Sequence, residues 1–304
     1  MTDFRVRGLC AAVHSPFAAD GSLALAAVET QRDHLLARGV TMAFVAGSTG
    51  ESHSLTADER RALAERWLAA ARGTPLQVVV HVGGNCLADA KALAAHAGTH
   101  GAAAISMLAP SYFKPRSVAD LVACCADVAA SAPATPFYFY DIPALTAVHL
   151  PMDAFLEQAP AHIPNLRGIK FTNQDLMAYQ LALRAGGGVF DLPWGCDEFL
   201  LAALALGAIG GVGSTYNFAP GIYQRLMAAF ARGDLEAARA EQFRSVLLVK
   251  TLAARGYMGC AKALMAHIGV PVGKARLPNG NPDGDGVRAM LQELAAIGYF
   301  DWKD

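Results

Sequence analysis

The run Leu166-Arg-Gly-Ile-Lys170-Phe-Thr172 sets a lysine where a charge is costly. With the period-two alternation of a strand, Leu166, Gly168, Lys170 and Thr172 share one face, and Arg167, Ile169 and Phe171 the other. An ammonium buried without a partner is strongly disfavoured, whereas a free amine there attacks carbonyl carbon. Lys170 therefore pairs with a carboxylate, reaches its stem to the rim, or serves as a nucleophile.

Four other stretches carry groups of the right kind. In Gly47-Ser48-Thr49-Gly50-Glu51, two glycines allow backbone N–H groups to point inward and two hydroxyls add donors, a nest for a carboxylate. The same stretch also reads as a turn before a helix, and it lacks the lysine of a nucleotide-binding P-loop. Tyr138 and Tyr140 alternate in Phe137-Tyr-Phe-Tyr140, so Tyr140 ends its strand; its phenol can shuttle a proton if a hydroxyl such as Ser48 holds it, or simply pack. Gly195-Cys-Asp197-Glu198 offers two carboxylates to a polyol, or an acidic helix start. Gly211-Val-Gly-Ser214-Thr-Tyr-Asn217 leaves space beside a serine hydroxyl. Among the histidines only His53 falls beside one of these stretches, and it reads as an exposed loop residue.

All of these groups sit where predicted strands end. Strand and helix patterns alternate from Gly8–Val13 onward: strands at 42–46, 76–82, 103–108, 136–140, 166–172, 189–194 and 208–213, each followed by a helical pattern. Thr56-Ala-Asp-Glu59 and Ser117-Val-Ala-Asp120 have the spacing of helix starts. Eight such units predict a parallel (β/α)₈ barrel, whose functional groups gather at the C-terminal ends of its strands. An open doubly wound sheet is the alternative, but no GxGxxG follows the first strand. Past Gly233 only helices remain, which divides the chain into a barrel over 1–233 that holds the site and a helical region over 234–304. The Pro-, Gly- and Asn-rich loop of that region, 271–286, is expected on the surface.

The 304 residues are 54 % hydrophobic and 17 % charged, enough for a large core and unlike a disordered chain. A net charge of −1 without a basic stripe disfavours nucleic acid and anionic membrane as partners. No apolar run is long enough to span a bilayer, and the first ten residues lack a secretory apolar region, so a cytoplasmic protein is expected. The six cysteines form no CxxC pair and show no zinc-ligand spacing; free thiols and no metal are expected.

With these residues placed, the chain resembles the pyruvate-dependent class I aldolase family of dihydrodipicolinate synthase and N-acetylneuraminate lyase. The motifs that carry the likeness are GSTGE at 47–51, YDIPALT at 140–146, GIKFT at 168–172, GCDE at 195–198 and GVGSTYN at 211–217, in the family's order. Leu145, where the synthase branch carries an arginine, makes the chain look more like the lyase branch, and so do Asp197-Glu198 and Ser214–Asn217. Asp141 departs from that branch, which usually carries Asn or His there, and Ala147 replaces a common glycine.

The resemblance implies reversible cleavage of N-acetylneuraminate to pyruvate and N-acetylmannosamine. It gives Lys170 the role of Schiff-base nucleophile with no separate cofactor, Tyr140 with Ser48 that of proton acceptor, and Ser48 with Thr49 the hold on the substrate carboxylate. Thr172, Gly195, Asp197, Glu198 and Ser214 would bind the rest of the sugar acid. A homotetramer is implied, with Tyr112 or Phe113 reaching toward a neighbour's site. A related aldolase or dehydratase acting on another 2-keto acid, and a non-catalytic keto-acid sensor, are the competing expectations.

Overall fold

The computed structural model describes residues 4–303. Seven parallel strands form one sheet: β1 (Gly8–Ala12), β2 (Met42–Val45), β3 (Gln77–His81), β4 (Ala104–Leu108), β5 (Phe137–Asp141), β6 (Leu166–Phe171) and β7 (Gly210–Gly213), in the order β6-β5-β4-β3-β2-β1-β7. The helices between them are α1 (Ala27–Ala37), α2 (Ala57–Ala71), α3 (Leu87–Thr99), α4 (Val118–Ala129), α5 (Pro143–Thr146), α6 (Met152–Gln158), α7 (Leu176–Arg184), α8 (Leu200–Leu206) and α9 (Pro220–Ala231). Four more follow: α10 (Leu235–Ala253), α11 (Tyr257–His267), α12 (Gly284–Ala296) and α13 (Tyr299–Trp302). The short α5 and α13 have too few turns to show a helical period in sequence.

Alternation along the strands makes two apolar layers. Cys10, Phe44, Val79, Leu108, Tyr140 and Val212 pack with one another on the inner face. Val45, Val80, Ile105, Phe139, Ile169 and Phe171 pack on the opposite face with helix residues such as Trp67 and Leu121. Strands covered on both faces are apolar at nearly every position, as parallel strands between helices must be.

The expected strand at 189–194 is a correction. It forms no ladder; single bridges join Asp191 to Gly168, and Trp194 to Phe171 and to Gly211. Pro193 has no N–H to donate, yet its carbonyl accepts from Phe171 N at 2.9 Å, and Trp194 N donates to Gly210 O at 3.0 Å. Hydrogen bonds thus run from β6 through this segment to β7.

Both expected helix starts are capping boxes. Thr56 Oγ1 accepts from Glu59 N at 3.2 Å and Glu59 Oε2 from Thr56 N at 2.9 Å, and Ser117 and Asp120 do the same for α4. Such a cap stabilises by about 1 kcal/mol.

The loop expected on the surface lies there for most of its length, with two residues turned inward. Val272 and Ala275 are buried. Arg276 donates to Glu59 Oε2 at 2.9 Å and to Gly21 O at 2.6 Å, strapping the loop across the outside of the Gly47–Glu51 stretch. A loop can be turn-rich in sequence and still be held inward by a single long cation.

Candidate active site

Lys170 lies on β6 beside Tyr140 of β5, which in turn lies beside Leu108 of β4. Its side chain points to the inner face and is 4 % exposed. The Nζ stands 4.0 Å from the ring centre of Phe44 and 3.8 Å from that of Tyr140. Among the described residues no carboxylate lies within ion-pair distance of it, and no acceptor is hydrogen-bonded to it. The amine opens instead on a cavity of about 190 Å³, lined by Thr49, Tyr140, Thr172, Gly195, Asp197, Glu198 and Ser214 among others.

The structure also brings Ser48 to this cavity's edge, its Oγ 3.3 Å from the Tyr140 hydroxyl. Thr172 lines the cavity, and its Oγ1 is buried with no hydrogen-bond partner among the described residues. Gly195 and Gly213 are required by close approach: a Cβ at Gly195 would stand 1.8 Å from Thr172 Oγ1, and one at Gly213 2.0 Å from Asp197 Oδ1. Tyr138, on the same face of β5, lies deeper, where its hydroxyl donates to Asp191 Oδ2 at 2.7 Å. Strand alternation fixed the face for both tyrosines, and position along the strand separated their roles.

Of the two acidic residues, Asp197 is buried and half committed. Its Oδ2 accepts from Thr215 N at 2.9 Å and Thr215 Oγ1 at 2.6 Å, while Oδ1 has no partner among the described residues. Burial pushes its carboxyl up to about 6, against the lowering effect of the Thr215 hydrogen bonds. Glu198 is half-buried on the cavity wall. Ser214 Oγ is hydrogen-bonded to the Tyr257 hydroxyl at 2.6 Å.

Sequence reasoning missed Tyr257 and Val249, which α11 and α10 bring to the cavity wall. Nothing local marks them, since they lie in the helical region beyond the last strand. Also missed were two buried histidines beside the Gly47–Glu51 turn, a correction to the expectation that only His53 lies near. His53 is exposed, as expected, but in the single 3₁₀ turn Ser52–Ser54 rather than in a loop. His81 is wholly buried; its Nδ1 lies 3.0 Å from Ala46 O, and Nε2 accepts from Leu108 N at 3.3 Å. That pair fixes a neutral tautomer, and burial together with the Arg60 guanidinium holds its basicity well below the usual histidine range. His81 ends β3 on the inner face, so alternation with Val79 was the available signal.

His81 anchors Ala46, whose φ of 56° is a left-handed conformation costly for a residue with a Cβ, and Glu51 at the other end of the turn has φ 54°. Glu51 is held there by Lys262, whose Nζ donates to its Oε1 at 2.8 Å, and by Arg276 N, which donates to its Oε2 at 2.8 Å. The second buried histidine, His14, lies against this network; burial and Lys262 push it down to about 3. The turn bearing Ser48 and Thr49 is therefore clamped at both ends in a shape the chain would not take freely.

The arrangement combines an unpartnered amine, a phenol joined to a hydroxyl, and a rim of carboxylates and hydroxyls: a site for covalent attack on a carbonyl with a proton acceptor beside it. Comparison with known proteins points the same way. N-acetylneuraminate lyase A of Xenopus laevis is 41% identical over 278 residues, 90% of each chain. The Proteus mirabilis N-acetylneuraminate lyase structure superposes with a TM-score of 0.94 at 38% identity, covering 97% of this chain and 100% of that one. The N-acetylneuraminate lyase (sialic acid aldolase) of Aliivibrio salmonicida gives 0.94 at 37% identity, with 97% and 98% covered. The model of the Dihydrodipicolinate synthetase family matches residues 5–296, which take in the whole sheet, the cavity lining and the helices through α12, and the chain belongs to that family.

Proposed function

We propose that this protein is a Schiff-base-forming carbon–carbon lyase that cleaves N-acetylneuraminate reversibly to pyruvate and N-acetylmannosamine. The observation that carries this reading is the buried, unpartnered Lys170 amine opening on a cavity ringed by Tyr140, Thr172, Asp197, Glu198 and Ser214. Relatives named as lyases at up to 41% identity over most of the chain support the substrate.

Lys170 Nζ adds to the keto carbon of the open-chain sugar acid and water leaves, forming a protonated imine. Ser48 and Thr49 hold the adjacent carboxylate with hydroxyls and backbone N–H groups. Tyr140, steadied by Ser48, passes its own phenol proton to the substrate carboxylate and in turn takes the proton of the hydroxyl on the carbon to be released. That carbon becomes the aldehyde of N-acetylmannosamine as the carbon–carbon bond breaks, and its electron pair moves into the imine to give an enamine. Protonation of the enamine and hydrolysis of the imine free pyruvate and restore Lys170. Thr172 binds a substrate hydroxyl through its unused Oγ1, and Gly195, Asp197, Glu198 and Ser214 read the tail. No metal is needed for this sequence of steps, since the iminium itself accepts the electrons.

The same reading takes the ring of hydrogen bonds through Asp191 and Trp194 as a closed (β/α)₈ barrel over 1–233 with a helical extension over 234–304. Six free cysteines suit a reducing cytoplasmic setting. Exposed Tyr112 and Phe113, stacked edge to face beyond β4, suit a subunit contact in a homotetramer.

The test couples pyruvate release to a dehydrogenase with N-acetylneuraminate as substrate, and traps the imine with borohydride in the presence of pyruvate. Release of pyruvate, and a pyruvyl mass on Lys170, are expected. No release at high enzyme concentration with trapping intact points to another 2-keto acid; no trapping refutes the Schiff-base lyase.

A further inference from the structure

Away from the cavity, on the outer surface where α2 and α3 pack side by side, Glu65, His96 and His100 converge. One ligand atom from each lies within 4.8 Å of the other two. His96 lies in the last turn of α3 and His100 is its C-cap residue, their ring centres 4.2 Å apart, and Glu65 faces them from α2. Glu65 Oε1 is 2.7 Å from His96 Nε2 and 3.9 Å from His100 Nε2.

We infer that these three side chains form a site for a divalent transition-metal ion of the zinc class. A tetrahedral ion with bonds of about 2.0–2.1 Å sets its ligands roughly 3.3 Å apart, and the two measured separations straddle that value. The hydrogen-bond pattern favours the ligating form of the ring: His100 Nδ1 lies 2.8 Å from the His96 carbonyl, so the proton sits on Nδ1 and Nε2 is left with its lone pair toward Glu65. At His96 the ion takes the place of the proton now shared between Nε2 and the carboxylate. Two imidazoles and one carboxylate suit zinc, cobalt, nickel or copper and not magnesium or calcium, which prefer all-oxygen shells.

Side-chain exposures of 53% for Glu65 and 36% for His100 leave a path for the ion and room for water as the fourth ligand. Arg61 is the nearby cation that opposes it, itself engaged by Asp58. No residue of α2 or α3 lines the cavity at Lys170, so the ion acts as a clamp between the two helices, separate from the reaction.

The experiment titrates zinc chloride into the full chain, freed of metal by chelator and dialysis, and follows heat of binding and melting temperature. One ion per chain and a rise of the melting temperature are expected, with visible ligand-field bands when cobalt is used instead. His100→Ala and Glu65→Ala should each weaken binding at least about tenfold and abolish the thermal shift, while their melting without metal and their lyase rate stay at the parent values. Cys86→Ser, which removes the exposed thiol, should change none of this. Absence of binding by the parent chain, or equal binding by His100→Ala, overturns the site.

Discussion

Two lysines of this protein are buried to nearly the same degree, Lys170 at 4 % exposure and Lys262 at 1 %, and their surroundings could hardly differ more. Lys262 gives all three of its protons away, to Glu51 Oε1 at 2.8 Å, Ser15 O at 2.9 Å and Lys274 O at 3.1 Å, with the Phe17 ring 4.2 Å off. Lys170 has two rings and a cavity and no hydrogen-bonded acceptor among the described residues. Burial alone therefore does not mark a nucleophile. The proposed role of Lys170 rests on burial without partners, because only that amine can turn to a carbonyl without first breaking an ion pair.

The largest effect expected from that contrast is on turnover. Lys170→Ala should lower kcat by about 10⁴-fold, roughly 5 kcal/mol of barrier at 1.36 kcal/mol per tenfold, with the melting temperature held. Steady-state kinetics and a thermal melt read both; a variant that keeps its rate breaks the comparison at once.

Lys262→Met should do the reverse, acting on folding first. Glu51 would be left charged in a dry site, a loss of roughly 3–5 kcal/mol measurable by urea unfolding. Adding Glu51→Gln should recover part of it, since the charge needing a partner is then gone. If Lys262→Met unfolds like the parent, the pair is not what clamps the Ser48–Thr49 turn.

A smaller effect separates amine from phenol. Tyr140→Phe should cost about 10²- to 10³-fold in kcat, yet borohydride should still fix pyruvate to Lys170, because the imine forms without proton removal from the tail. Failure to trap would show that Tyr140 acts in imine formation as well.

The smallest effect concerns a buried charge between the two extremes. Asp141 has a single partner, Asn173 Nδ2 at 3.2 Å, and burial pushes its carboxyl up to about 7. The folded chain then holds that proton more tightly than the unfolded one, so stability falls as pH rises from about 4 to about 7 and stays lower above. Asp141→Asn should remove that fall, a gain on the order of 2 kcal/mol at pH 8 and almost none at pH 4. Equal gains at both pH values would sink this account.

Legibility from sequence followed the range of the interaction. Alternation at Lys170, Thr172 and Tyr140 gave the inner face directly, because a strand's period is local, and the caps at Thr56 and Ser117 were visible in four residues each. The strand at 189–194 was misread because an apolar run bounded by Pro193 looks like a strand whether or not its ladder completes. His81 is legible in principle from its place two residues after Val79 on the same strand face, but no motif lies beside it to mark a role.

By itself, then, the sequence determined the succession of seven strands with their helices, the face each strand residue takes, and the motifs that set Lys170 and Tyr140 toward strand ends. Tertiary structure alone decided which buried lysine is left without an acceptor. Lys262 meets Glu51 across 211 positions of chain and Tyr257 meets Ser214 across 43. Contacts at that range arise from how helices pack against the sheet and leave no periodic trace in the residues that make them.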